Sequence, residues 1–173
     1  MLLYFATNTD EKFLGKVKLM KLFYFADFMH IKQYGVPITY DRYVHLDHGP
    51  VPSIIMNSVN DTADDQDDSE LGDTISINIK PGQHIHRIKK LREFTENEKD
   101  YFSDSELDIL EKVCKRFYDA NAKQIELASH KEAAFSKTNY GDDIPYSLAL
   151  EDSDCRQDID KETIELLVQI ANF

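Results

Sequence analysis

The stretch that decides the fold is KVKLMKLFYFADFMHIKQY, residues 16–34. Its apolar side chains cover nearly the whole circumference of a helix with about 3.6 residues per turn. A helix of that kind is packed on several sides, so we expect it to be the buried centre of the fold. Gly35 can adopt the left-handed conformation after the last turn, and Pro37 cannot continue the helix.

Downstream patterns predict more helices and one small antiparallel β-hairpin. Residues 75–79, ISINI, alternate apolar and polar side chains, which is typical of a half-buried strand, and residues 84–88 are predicted to return as its partner after Pro81-Gly82. Residues 103–106, SDSE, form a capping box at the start of a helix. We therefore expect a mostly α-helical α+β fold, with residues 1–173 forming a single compact domain.

Asp160 has the residue type that caps helices, and a last helix is predicted after it, with Ile164 and Leu167 on one face.

Residues 43–55, YVHLDHGPVPSII, join two histidines and an aspartate to two prolines. Tyr43, Val44 and Leu46 predict a short extended segment. Residues 49–52, GPVP, predict a rigid corner, because each proline fixes its own φ at about −65° and keeps the preceding residue out of a helix. Ser53 would then start a helix, and a role as its cap is favoured over a role as a nucleophile because no GxSxG motif surrounds it.

The chain is strongly acidic. It has 32 Asp and Glu against 20 Lys and Arg, a net charge of −12 and a pI near 4.8. Such a surface repels a phosphate backbone, so we do not expect direct binding to nucleic acid, whereas a basic protein would be attracted. Seven of the acids lie in residues 61–73, which contain no base and are predicted to form a mobile surface loop.

The two cysteines and the apolar segments point to the cytoplasm. Cys114 and Cys155 lie far apart and form no CxxC motif, which indicates a reducing compartment. Charged residues interrupt segment 17–31, so it lacks the uninterrupted run of apolar residues that a membrane span needs. Residues 1–5 are apolar but lack the positively charged start of a signal peptide.

Six histidines raise the question of a metal site; they are His30, His45, His48, His84, His86 and His130. His45 and His48 are three positions apart in an extended segment, so they are predicted to point to opposite faces. His84 and His86 could share a strand face, but neither has a nearby cysteine or HxxxH partner. We therefore expect no metal, no cofactor and no catalytic residues.

Three stretches occur in the order and spacing of a known family. KLMKLFYFAD (18–27) resembles the signature KLxKLLYFAD; YGVPI (34–38), Tyr43 and GPVP (49–52) resemble the family's YGxPI, Y and GPVP; SHKEAAF (129–135) resembles SHxExxW. Together they are similar to the Panacea domain of SocA-like antitoxins, a family that also includes phage-associated proteins. Phe135 stands where the family commonly has tryptophan.

The resemblance implies an antitoxin that neutralises a toxin encoded beside it by binding the toxin directly. Two alternatives remain open: an adaptor that delivers a toxin to a cytosolic protease, and a phage-associated interaction protein. The motif positions give the candidate partner-binding residues Lys18, Lys21, Asp27, Tyr43, His130 and Phe135.

Lys18, Lys21, Asp27 and His130 also have a structural interpretation. The lysines and Asp27 would be the polar margin of a buried helix. His130 would either interact with free carbonyls at a helix C-terminus or line a groove with Tyr43 and Phe135.

Overall fold

The computed structural model describes residues 1–79, 86–156 and 158–171. Its α-helices are α1 Leu2–Asn8, α2 Lys16–Tyr34, α3 Ser53–Asp64, α4 Asp104–Phe117, α5 Ala122–Ser129, α6 Ala133–Ser136 and α7 Lys161–Ala171. Its strands are β1 Tyr43–Leu46, β2 Gly49–Pro52, β3 Ile75–Ile79 and β4 His86–Lys90, and short 3₁₀ turns span Glu11–Phe13, Glu96–Tyr101 and Tyr146–Glu151. The predicted fold class, a mostly helical α+β fold, is confirmed.

Helix α2 is the centre of the core, as its all-round apolar pattern predicts. Fourteen of its 19 residues are buried, and it contacts α4, α5, β2 and the 3₁₀ turn Tyr146–Glu151. Gly35 ends it in the left-handed conformation with φ 80°, and the Gly35 amide donates to the Ile31 carbonyl at 2.9 Å. On an ordinary amphipathic helix one face is exposed to solvent, whereas α2 is buried on nearly all sides.

The described residues contain two antiparallel hairpins, where the sequence predicted one. The expected hairpin pairs β3 with β4, with Ile77 opposite Ile88, and its second strand begins at His86. His84 and the predicted turn at Pro81-Gly82 lie outside the described residues. The other hairpin pairs β1 with β2, so residues 49–52 are a strand and not the isolated corner that two prolines suggested. A strand paired on one side tolerates proline because its free edge needs no amide donor.

Helix α3 corrects two further expectations. It continues to Asp64, so the first residues of the predicted acidic loop are helical and turns begin beyond Asp65. Ser53 is its first helical residue and Pro52 the N-cap, which has no side chain able to accept a hydrogen bond. Ser53 therefore does not cap this helix.

The helix starts at α4 and α7 follow their sequence signals. Ser103 and Glu106 form the predicted capping box, and Asp160 accepts bonds from the amides of Glu162 and Thr163.

Within the described residues, no helix combines the length and apolar character needed to cross a membrane.

Candidate partner-binding site

Asp27 is a fully buried carboxylate in the middle of α2 that fixes the segment leading to β1. It accepts hydrogen bonds from the amides of Ile38 and Thr39, each at 2.8 Å, from the Thr39 hydroxyl, and from the Tyr43 hydroxyl at 2.7 Å. Burial raises the pKa of the Asp27 carboxyl, and these donated bonds oppose that rise. The segment they hold contains Tyr40 in the left-handed region at φ 56°, a costly conformation for a side chain of this size.

Tyr43 lies in an aromatic cluster around Asp27. Its ring packs against Tyr24, Phe28 and Tyr146, with centroid distances from 5.5 to 5.9 Å. Burial raises the pKa of the Tyr43 hydroxyl, and the negative charge of Asp27 raises it further. The hydroxyl therefore keeps its proton at neutral pH and donates a hydrogen bond. Tyr43 is therefore enclosed in the core and does not reach the protein surface.

Asp41 supplies the cap that Ser53 does not. Its carboxylate accepts from the amides of Ile54 at 2.9 Å and Ile55 at 3.1 Å, which are free donors in the first turn of α3. The Tyr146 hydroxyl donates to the Asp41 carbonyl at 2.7 Å. Asp41, in the segment between α2 and β1, thus caps α3 from outside the helix. No local capping motif in the sequence predicts this contact.

Two lysines of α2 are buried and donate to backbone carbonyls. The Lys18 ammonium donates to the Tyr118 carbonyl, at the end of α4, at 2.9 Å. The Lys21 ammonium donates to the Pro50 carbonyl of β2 at 2.6 Å. Burial lowers both pKa values, that of Lys21 to about 7, and the charge of Glu126 partly opposes the shift at Lys21. Lys21 thus connects α2 to the hairpin in a poorly hydrated place.

Gly49 is a position where the β1–β2 hairpin lies close to α2. Its φ is +94°, and an added Cβ would lie 2.8 Å from Lys21 Cε and 2.8 Å from Ser129 Oγ. Real side chains do not fit at such distances, so only glycine allows β2 to lie against both α2 and α5 here.

Phe135 lies between two histidine rings. The His45 ring stacks on one side with a centroid distance of 3.7 Å, and the His130 ring stacks with a distance of 4.3 Å and an interplanar angle of 5°. His45 also contacts Thr138, with 2.9 Å between Nδ1 and the hydroxyl. Burial lowers the pKa of both histidines, which favours the neutral rings.

Lys32 is a site residue that sequence reasoning missed. Its ammonium pairs with Glu132, with Asp152 at 2.9 Å and with Asp154 at 3.0 Å. These carboxylates hold the pKa of Lys32 above its ordinary value, although burial opposes them. Glu132 is the glutamate of the SHKEAAF motif, so the motif fixes α6 to α2. No sequence signal could link residues 100 positions apart.

A pocket of about 260 Å³ opens between the start of α2, the β1–β2 turn and α3. We call it the Lys21 pocket. Its lining residues are Lys16, Val17, Met20, Lys21, Leu46, Asp47, His48, Val51, Met56 and Tyr140. His48 and Tyr140 are largely exposed at its rim, with 72% of the His48 side chain and 67% of Tyr140 open to solvent.

The six predicted partner-binding residues fall into two groups. Lys18, Lys21, Asp27 and Tyr43 are buried, with at most 1% of each exposed. His130 and Phe135 are half-buried and stacked together, and their companion is His45 in place of the expected Tyr43. A direct contact of any of the six with a partner stays a prediction.

The described histidines do not form a metal site. His45 lies on β1 and faces Phe135, whereas His48 lies in the β1–β2 turn, 3.3 Å from the Glu126 carboxylate. Across residues 1–79, 86–156 and 158–171, no group of three or more His, Cys, Asp or Glu side chains is arranged to hold a metal ion.

Comparison with protein families identifies the class to which this arrangement belongs. Residues 19–135 match the family described as "Antitoxin SocA-like, Panacea domain". The match covers more than half of the 173 residues, and the chain belongs to this family. Membership indicates a toxin–antitoxin type of role in general terms. The comparisons with curated proteins and with solved structures give no match.

The matched range contains most of the site described above. It runs from α2 through both hairpins to Phe135, and so includes Lys21, Asp27 and Gly49. Lys18 lies one position before it. The buried contacts around Asp27 and Lys21 are therefore formed within the part of the chain that defines the family.

Proposed function

We propose that this chain is an antitoxin that neutralises a cognate toxin by binding it directly, without chemistry of its own. Membership of the SocA-like antitoxin family is the observation that carries the proposal. The toxin is expected from the neighbouring reading frame, and the complex is expected to form in the cytoplasm. The free cysteines Cys114 and Cys155 favour that compartment.

The geometry supports a binding role because the motif side chains are engaged inside the protein. Asp27 and Lys21 hold the β1–β2 hairpin, and Asp41 caps the first turn of α3. Side chains next to these anchors are open to solvent, including His48, Tyr140 and Ile54, of which 62% is exposed. A surface fixed from beneath loses little conformational entropy when a partner binds, which favours tight association.

Charge supports a basic partner or a partner with a basic face. A net charge of −12 attracts positively charged proteins over several ångströms and accelerates their association. Because surface charges are screened by salt, the association rate is expected to fall as ionic strength rises.

Co-expression with the product of the neighbouring reading frame tests the proposal. We expect that product alone to arrest growth, and co-expression with this chain to restore growth and to yield a complex that co-purifies in stoichiometric amounts. Independent migration of the two proteins without rescue would contradict direct neutralisation.

Toxin half-life in the same cells separates occlusion from degradation. Occlusion predicts that the half-life is unchanged or longer when this chain is present. A half-life that shortens, and does so only in cells with an intact cytosolic protease, would instead assign the chain an adaptor role.

A further inference from the structure

A second pocket, of about 560 Å³, opens between α1, α4 and residues 94–99. We call it the α1–α4 pocket. It shares no lining residue with the Lys21 pocket, and its α1 residues Tyr4, Thr7 and Asn8 lie before the range that matches the family. Its volume falls within the roughly 300 to 1,000 Å³ of typical ligand sites. The family motifs therefore do not account for it.

Acidic side chains dominate the charged part of this lining. Glu96, Asp104, Asp108 and Glu111 are acidic, against the single base Lys99. The three acids of α4 are four and three positions apart, so they lie on one face of the helix. They are accessible to solvent, with 42% of the Asp108 side chain and 57% of the Glu111 side chain exposed. The pocket therefore presents negative charge to an entering group.

Free acceptor oxygens remain on these carboxylates. Glu96, Asp108 and Glu111 each pair with a lysine through one oxygen, which leaves the second oxygen without a donor in the described part of the chain. The lysines that pair with Asp108 and Glu111 do not line the pocket, and exposed pairs of this kind contribute little to stability. The Asp104 side chain forms no ion pair and no hydrogen bond with the residues that the structure describes. A cation in the pocket would therefore find unused acceptors.

Tyr4 adds a buried polar group without a partner. Only 9% of Tyr4 is exposed, and it lines the pocket close enough to Glu111 for that carboxylate to act on its hydroxyl. The hydroxyl forms no hydrogen bond across residues 1–79, 86–156 and 158–171. Burial raises the pKa of the Tyr4 hydroxyl to about 12, so it keeps its proton at neutral pH, and its oxygen can accept from an N–H group. Native proteins rarely leave so buried a polar group unused, which points to a ligand.

The apolar part of the lining suits a guanidinium better than an ammonium. The Tyr4 and Phe94 rings pack edge to face with a centroid distance of 5.1 Å, and Leu107 lies on the same face of α4 as the acids. A guanidinium is flat, stacks on aromatic rings and has five N–H donors in a fork that matches carboxylates, and its aliphatic stem packs on apolar side chains. A lysine ammonium is a compact and strongly hydrated charge.

We propose that the α1–α4 pocket receives an arginine side chain of the toxin. The guanidinium would lie between the carboxylates of Asp108 and Glu111, donate to the Tyr4 oxygen and stack on Phe94. This inference rests on the proposed function and adds to it the side chain by which the toxin is recognised. The net charge of −12 favours a basic partner, and it makes a second copy of this chain a poorer occupant.

Two variants test the carboxylates and the unpartnered hydroxyl. The double variant Asp108→Asn/Glu111→Gln removes two charges at nearly constant shape. Tyr4→Phe removes a hydroxyl that has no partner in the described chain, so folding should be unaffected. The matched control is Asp143→Asn/Glu165→Gln, because both acids are more than half exposed, pair with one base each and do not line the pocket. Circular dichroism and thermal unfolding verify that each variant is folded.

Calorimetric titration with the purified product of the neighbouring reading frame measures the effect. We expect the double pocket variant to weaken binding at least about tenfold and Tyr4→Phe about threefold, whereas the control stays within about twofold of wild type. If wild type binds and the folded pocket variants bind equally well, this inference is wrong and the proposed function stands. If wild type does not bind, the proposed function fails and the inference falls with it.

Double-mutant cycles identify the side chain that enters the pocket. Each arginine of the toxin is changed to glutamine, and one of these changes is expected to weaken wild-type binding about tenfold but to have little further effect on the double pocket variant. Coupling to a toxin lysine in place of an arginine would contradict the inference. Ethylguanidine is the small-molecule probe: if it binds in the pocket while no toxin arginine couples to it, the site belongs to a free guanidinium compound and the toxin assignment is overturned.

Discussion

The two hairpins of this protein are attached to the core by different means. The β3–β4 hairpin presents Ile75 and Ile88 to the core, and the Ile88 amide donates to the Leu14 carbonyl at 3.2 Å. Its polar side-chain links, from Arg87 to Lys12 and from Lys89 to Glu11, lie at the exposed surface. The β1–β2 hairpin is held by buried polar side chains, with Asp27 bonded to Tyr43 and Lys21 to Pro50. Apolar burial is tolerant of exchange, whereas buried polar groups are costly when one partner is removed. The β1–β2 hairpin is therefore fixed in position, and it contains Tyr43 and GPVP of the family motifs.

The largest effect is expected from Asp27→Ala. The substitution leaves the amides of Ile38 and Thr39 and the hydroxyl of Tyr43 without their acceptor, and it releases the strained turn at Tyr40. We expect a loss of about 4 kcal/mol in the free energy of unfolding, measured by urea denaturation. On the other hairpin, Asn78→Ala removes an exposed polar side chain and is expected to change stability by less than about 0.5 kcal/mol. Equal effects would show that the hairpins do not differ in this way.

Gly49→Ala tests the close approach of the β1–β2 hairpin to α2. The new Cβ would collide with Lys21 and Ser129 at a positive φ, so we expect a loss of about 3 kcal/mol in stability.

Gly141→Ala is the matched control, because Gly141 has φ +87° but no heavy atom within 4 Å of an added Cβ. It is expected to cost about 1 kcal/mol, from the backbone conformation alone. Similar losses in the two variants would mean that the contact with α2 contributes nothing, and thermal unfolding of both proteins measures the difference.

Sequence patterns predicted the elements whose causes are local. An all-round apolar stretch identified α2, strict alternation identified β3, and the capping box at Ser103 identified the start of α4. In each case, neighbours within one or two turns determine the structure. The exposed ion pairs on α4, such as Asp108 with Lys112 at 2.7 Å, follow from the same short-range rule.

The β1–β2 hairpin and the site could not be predicted in this way because their causes are distant in sequence. Pro50 and Pro52 disfavour a strand locally, and the pairing with β1 overrides that preference at an edge. Lys21 meets Pro50 across 29 positions, and Lys32 meets Glu132 across 100. The family motifs did select Lys21, Asp27 and Tyr43, but not whether each side chain faces a partner or the core.

The smallest expected effect is a pH dependence of the protein's stability that Lys21 causes. The unfolded chain keeps this ammonium protonated up to its ordinary pKa of 10.5, whereas burial lowers the pKa in the folded protein to about 7. Folding therefore releases a proton between these two pH values, and the cost of burying Lys21 is fully present below pH 7 and disappears as the pH approaches 10.5. This one group should stabilise the folded state by about 2 kcal/mol as the pH rises from about 7 to about 9.

Comparison of wild type with Lys21→Met tests this dependence, because the variant has no titrating group at position 21. Burial lowers the pKa of His45 and of His130 from 6.5, so both rings are neutral across the pH range compared. The stability of the variant relative to wild type is expected to decrease by about 2 kcal/mol between about pH 7 and pH 9, measured by urea denaturation at each pH. Lys115→Met, on the exposed side of α4, is the control and should show no such change. If the stability difference between Lys21→Met and wild type does not change with pH, water reaches the Lys21 ammonium in the folded protein. Lys21 would then behave like a surface lysine and not like a buried anchor of the β1–β2 hairpin.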